Sequence, residues 1–146
     1  MARCGAFLSQ TNVTYAALRD SGAAAGMPAA LVAKVGALVE QGRAAVALAR
    51  RAGVRVTYGS DLLGSMRHRQ LEGFAALLDA GLSPAESLAC ATATAAELTG
   101  LAAGTLEAGR LADLCLLRCN PLDPARLRTL SEDDVVGVWV GGQKGV

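Results

Sequence analysis

Leu31, Val35, Leu38, Val39, Gly42, Val46 and Ala49 recur at intervals of three and four, the period of one helix face, and predict a long amphipathic helix. Pro28 suits its first helical position, where a missing N–H costs nothing. Arg43, Arg50 and Arg51 bring positive charge to its second half, the last two to the final turn, where they complement the helix dipole; Gly53 ends it. The pattern then becomes β-like over Val54 to Tyr58, after a short connection of the kind α/β units use. This strand stops at Gly59 and delivers Asp61 just past its end.

Other elements can be placed around that strand. Residues 5–13 read as a short strand entering a polar turn, and Thr14 to about Ala25 as a short helix with Thr14 as N-cap and Gly26 as stop. After Asp61, residues 62–70 read as a loop opening into a helix whose apolar positions are Leu71, Phe74, Ala75 and Leu78. Ser83-Pro84-Ala85-Glu86 is a capping box with proline at the first helical position, and Leu88, Thr92, Ala95 and Leu98 are expected to form the buried face of one helix ending at Gly100. The pattern changes there. Leu114–Leu117 predicts an apolar strand, residues 123–130 a loop or short turn, and Val135–Val140 a second strand closed by Gly141-Gly142. Two segments follow: α/β structure over 1–100 and β structure over 101–146.

Composition adds limits. An apolar share of 52% against 18% charged residues supports a packed core, but alanine supplies much of it and aromatics only 3%, so the stability margin is expected to be thin. A net charge of +1 offers no field for nucleic acid or an acidic membrane surface. No run reaches the roughly 18 apolar residues of a spanning helix, and the N-terminal apolar run is short for a signal peptide, so a cytoplasmic location is expected. There Cys4, Cys90, Cys115 and Cys119 are expected to be reduced. Cys115, Cys119 and His68, the single histidine, match no common zinc spacing.

An acid at the carboxyl end of a parallel strand stands where α/β barrels hold catalytic groups, and can ligate a metal or accept a proton from water. Asp after Gly-Ser is also a common turn residue or helix N-cap, and the pattern alone favours that reading over catalysis. A set of linked motifs adds to it: Gly53 to Gly64 with its Tyr58-Gly59-Ser60-Asp61, Leu82 to Glu86, Ala91 to Gly100, and Gly104 to Leu114. In this order they resemble the C-terminal portion of the metal-dependent amidohydrolase superfamily, in its imidazolonepropionase-like and metal-dependent prolidase branch. Thr11 to Tyr15 is similar to the exit of the penultimate barrel strand.

The resemblance implies a partial (β/α)₈ TIM barrel, its last two β/α units, followed by strands of a small flanking β-sandwich. It implies that Asp61 is a metal ligand and the catalytic proton carrier between the attacking water and the leaving nitrogen. The cofactor implied for the full-length family is a divalent metal, zinc by preference; the substrate implied is a small amide-type molecule. Asp113 falls in the return to the sandwich and reads as a turn former, and Trp139 as part of the sandwich core. His68 lies one place past the loop position, Arg67, where relatives carry a polar group near the substrate, and reads as an exposed loop histidine.

The family's His-x-His pair, middle-strand lysine and later histidines have no counterpart here, and a whole barrel takes about 250 residues against 146. The expectation is therefore a C-terminal fragment of a carbon–nitrogen hydrolase that is inactive and without metal by itself. The competing expectation is a non-catalytic remnant or interaction module whose open strand edges pair with a second copy or with a complementing chain.

Overall fold

The computed structural model describes residues 1–145. Its first half is a β–α–α–β unit: β1 (Phe7–Gln10), α1 (Asn12–Ser21), α2 (Ala29–Arg51) and β2 (Arg55–Tyr58). β1 and β2 run parallel, with Phe7 opposite Arg55 and Gln10 opposite Tyr58. At about 1.5 Å per residue, α2 is about 35 Å long, and its buried residues Val35, Val39 and Val46 lie on the predicted face. Pro28 is the N-cap, one place earlier than expected. Gly42 has a packing role: a Cβ there would collide with the side chain of Asn12, whose Nδ2 donates to the Val39 carbonyl at 3.3 Å. The glycine lets α1 lie against α2.

Helix α1 departs from expectation at both ends. It starts two residues before Thr14, with Thr11 as N-cap, and stops at Ser21 rather than near Gly26. Thr14 is freed from capping and its hydroxyl reaches another element, described below.

After β2, a 3₁₀ run (Gly64–Glu72) leads into α3 (Gly73–Asp79). The capping box at Ser83 forms as read. Glu86 N–H donates to Ser83 Oγ at 3.3 Å and Glu86 Oε2 accepts from Ser83 N–H at 2.7 Å, opening α4 (Pro84–Ala91). These Ser83 bonds, with Arg50, hold the Glu86 carboxyl below its ordinary pKa. The single helix expected through residue 99 is in fact two, α4 and α5 (Ala93–Thr99), broken at Thr92. Gly104 packs so close to the Thr92 backbone that a Cβ would sit 2.7 Å from it, so the returning chain abuts the break. The expected buried face is also corrected: Ser87, Cys90 and Ala96 are buried, whereas Leu98 is exposed and Leu88 and Thr92 line an outer groove.

The C-terminal segment forms an antiparallel sheet in the order β3 (Leu114–Leu117), β4 (Val135–Val140), β5 (Gln143–Lys144). Between β3 and β4 the expected loop contains a short helix, α6 (Pro124–Arg128), capped by Asp123 Oδ1 accepting from Ala125 N–H at 2.9 Å. One core joins both halves: Val46, Val56, Phe74, Leu77, Leu82 and Cys90 pack with Leu127 and Leu130 at the end of α6. Asp79 reinforces that junction by pairing with Arg43 at 3.3 Å and Arg128 at 2.7 Å. The four cysteines are free thiols. Among the described residues no helix is long and apolar enough to cross a membrane.

Candidate functional site

Three ties fix the loop that follows β2. Gly59 N–H donates to the Gln10 carbonyl at 2.9 Å, continuing the parallel pairing one step past the strands. Thr14 Oγ donates to the Ser60 carbonyl at 2.6 Å, joining the loop to α1. Leu62 is buried in a small cluster with Val13 and Ala17, with Met66 packed against it. Asp61 sits between the last two ties and is itself exposed.

Its backbone is unusual. Asp61 has φ +50°, and it is the one non-glycine with positive φ among the described residues. The left-handed region costs an L-residue roughly 1–2 kcal/mol, less for Asp and Asn, whose short polar side chains tolerate it. Tying Ser60 and burying Leu62 impose that conformation on the residue between them. The carboxylate is left out in solvent at the carboxyl end of the parallel pair, where α/β proteins bind ligands.

The strand end is held equally firmly. The Tyr58 ring stacks on Phe74 with centroids 5.3 Å apart at 13°, and a Cβ at Gly73 would strike that ring. Its hydroxyl donates to the Gln70 carbonyl. Burial, with the nearby Glu72 charge, pushes the Tyr58 pKa up to about 12, so the phenol stays a neutral donor. Arg69 clamps the following run by pairing with Glu72 at 2.7 Å and with Asp20 of α1 at 2.9 Å. Hydrogen bonds from Arg19 and Arg69 hold the Asp20 carboxyl below its ordinary range. A cavity of about 450 Å³ opens beside this loop, lined by Ser60, Leu62, Arg67 and Gln70.

The other candidate positions lie apart from Asp61 or are committed elsewhere. His68 is exposed, its Nδ1 2.7 Å from the Ser65 carbonyl. Asp113 accepts from Gly141 N–H at 2.8 Å and so ties the start of β3 to the end of β4, a structural bond across the sheet and not a turn. Trp139, opposite Leu114, is half-buried and lines an apolar groove with Leu88 and Leu106, away from the β2 loop. A catalytic zinc takes three protein ligands. Among the described residues no three His, Cys, Asp or Glu side chains come together, so Asp61 amounts to one ligand and does not form a metal site with its neighbours. Sequence reasoning missed Thr14 as a tie and Gln70 as the acceptor for Tyr58; only the Arg69–Glu72 spacing of three left a legible trace.

The fold has counterparts among solved structures. A prolidase solved with N-methylphosphonate-L-proline matches with a TM-score of 0.87 at 36% identity, over 98% of this chain and 35% of its own. A crystal structure described as an amidohydrolase matches with a TM-score of 0.89 at 33% identity, over 99% and 35%. The ochratoxinase of A. niger matches with 0.66 at 28% identity, over 90% and 30%. The chain thus spans about a third of the length of these proteins. It corresponds to the C-terminal part of their TIM-barrel fold, two parallel strands without barrel closure. No curated protein matches it. The family model described as "Amidohydrolase family" matches residues 1–144, and the chain belongs to that family.

Proposed function

We propose that this chain is the C-terminal portion of a hydrolase that cleaves a carbon–nitrogen bond other than an ordinary peptide bond, with Asp61 as its proton carrier. The observation that carries the reading is the exposed Asp61 carboxylate, held in a left-handed conformation between tied neighbours at the end of β2. Strained backbone of this kind clusters at functional sites. Asp61 would take a proton from the attacking water and deliver it to the leaving nitrogen as the bond breaks.

Amidohydrolases generally use divalent metal ions, and we read zinc as the ion and Asp61 as one of its ligands. The remaining ligands are not in these 146 residues, and the residues present do not fit a complete centre. The prolidase neighbour, solved with a proline phosphonate, supports a small dipeptide-like or cyclic amide as substrate. Four free cysteines suit a cytoplasmic setting.

A second reading, an interaction module, is favoured by the bare apolar residues Leu114, Leu116, Val136 and Val140 on the C-terminal sheet. A complementing chain carrying the other barrel strands, or a second copy, would cover them. The two readings separate in one experiment. Zinc content and amidase turnover are measured for the purified chain, alone and after mixing with the remaining two-thirds of the prolidase neighbour. The hydrolase reading expects turnover only in the mixture and its loss in Asp61→Asn. Stoichiometric zinc with hydrolysis by the chain alone would overturn the fragment reading; an assembled but inactive mixture would favour the module.

A further inference from the structure

We propose that the cavity between α5 and the loop of residues 102–111 binds a small zwitterionic α-amino acid, its ammonium on Glu97 and its carboxylate on Arg110. The site lies apart from Asp61 and uses none of the residues around it.

The chain closes this cavity by local means. Gly100 takes φ +72° and caps α5, and Leu101 N–H turns back to donate to the Ala96 carbonyl at 3.0 Å. Further on, Leu111 N–H donates to the Ala102 carbonyl at 2.7 Å, so the two ends of the loop meet. Compact surface loops closed in this way are frequently functional. Gly104 seats the loop against the Thr92 backbone, too close for a Cβ. The cavity left between loop and helix has a volume of about 250 Å³ and apolar walls that include Ala93, Ala96 and Leu101. Its polar lining is Glu97, Thr105 and Arg110.

The two charges are opposite and are not spent on each other. Glu97 accepts from Arg55 through Oε1, and its Oε2 has no partner among the described residues. Arg110 donates from Nε to Glu107 Oε2 at 3.3 Å, and its two terminal amino groups likewise have none. Both residues line one cavity, yet among the described residues they form no ion pair with one another. Thr105 Oγ is buried without a hydrogen-bond partner, a polar atom that a bound molecule can complete.

The chemistry favours one kind of ligand. The planar fork of a guanidinium matches a carboxylate with two parallel hydrogen bonds, and an ammonium brings three donors for a carboxylate and a hydroxyl. Glu97 repels the ligand's carboxylate and Arg110 its ammonium, so the orientation is fixed. Drug-sized ligands take cavities of about 300–1,000 Å³, and the smaller volume here restricts the occupant to amino-acid size. Its side chain would lie on Ala96 and Leu101, which suits a short aliphatic group.

The test uses the ¹⁵N-labelled full chain and three probes with one side chain: L-valine, L-valinamide, which keeps only the positive charge, and N-acetyl-L-valine, which keeps only the negative one. L-Valine should shift the backbone amide signals of residues 93–111 saturably. It should bind at least about five-fold more tightly than either other probe, with the gap narrowing at high salt. Arg110→Gln should bring L-valine down to the affinity of L-valinamide, and Glu97→Gln down to that of N-acetyl-L-valine. Arg110→Lys should keep part of the preference, since lysine retains the charge without the fork. Glu97 also pairs with Arg55, so Arg55→Gln is the control: it removes that pair and should leave the preference in place. Equal affinity for the three probes, no saturable shift in residues 93–111, an unchanged preference in a folded Arg110→Gln variant, or a preference lost equally in Arg55→Gln would overturn the proposal.

Discussion

The loop after β2 and the sheet β3–β4–β5 both face solvent, but they are held in opposite ways. Around Asp61 every neighbour is committed: Gly59 to β1, Ser60 to α1, Leu62 to its cluster and Tyr58 to Phe74 and Gln70. The sheet is anchored along one side, where Leu117 of β3 and Leu127 and Leu130 of the α6 connection pack on the main core, and it leaves Leu116 51% and Val140 65% exposed. The backbone that carries a charged group is fixed where packing alone would let it move, and apolar groups are left bare where packing would cover them. The first is what a chemical role requires of a carboxylate. The second is what a surface awaiting a cover looks like.

The largest expected effect would sharpen that contrast. Leu127 is 0% exposed, and Leu127→Ala should cost about 3 kcal/mol in urea unfolding, whereas Leu116→Ala should stay within about 0.5 kcal/mol. A loss of several kcal/mol at Leu116 would mean the sheet is already covered in solution, for instance by a second copy.

A smaller effect concerns the strand end. Tyr58→Phe removes one hydrogen bond and should cost about 1 kcal/mol. Its pH dependence has a definite sign. The folded phenol titrates near 12, above its ordinary 10.0, so its contribution is complete below pH 10 and is lost as pH rises toward 12. Wild-type stability should fall across that window more steeply than that of Tyr58→Phe. Parallel curves would show that the hydroxyl is not buried as described.

Much of this architecture was legible in the sequence where the signal is local. The 3.6-residue period of α2, the β-like run before Gly59 and the Ser83–Glu86 box each act within a few residues of themselves. What was not legible is set by distant contacts. The break at Thr92 depends on Gly104 returning against it, and an Ala- and Thr-rich run keeps a helical period on both sides of the kink. Leu98 carries the apolar pattern of a buried face but is exposed, and Leu88 packs on the core with one side while lining the outer groove with the other, so periodicity misassigned the first and half-placed the second. The five residues of α6 are too few to show a period, although Asp123-Pro124 is a recognisable helix start.

The site divides the same way. Asp61 is singled out by the motif around it. The positive φ of Asp61 was not foreseeable, because it arises from Thr14 and Leu62 acting on either side through contacts that no local spacing encodes.

The central claim is that Asp61 is kept in a costly conformation for its carboxylate and not for the fold. The most direct measurement is urea unfolding of Asp61→Gly, with Asp61→Asn as the control that also tolerates positive φ. Glycine should relieve the left-handed strain and, after its extra unfolded-state freedom is subtracted, leave the protein about 0.5–1 kcal/mol more stable, while asparagine should match wild type. A glycine variant no more stable than wild type would contradict the claim and make Asp61 an ordinary turn residue.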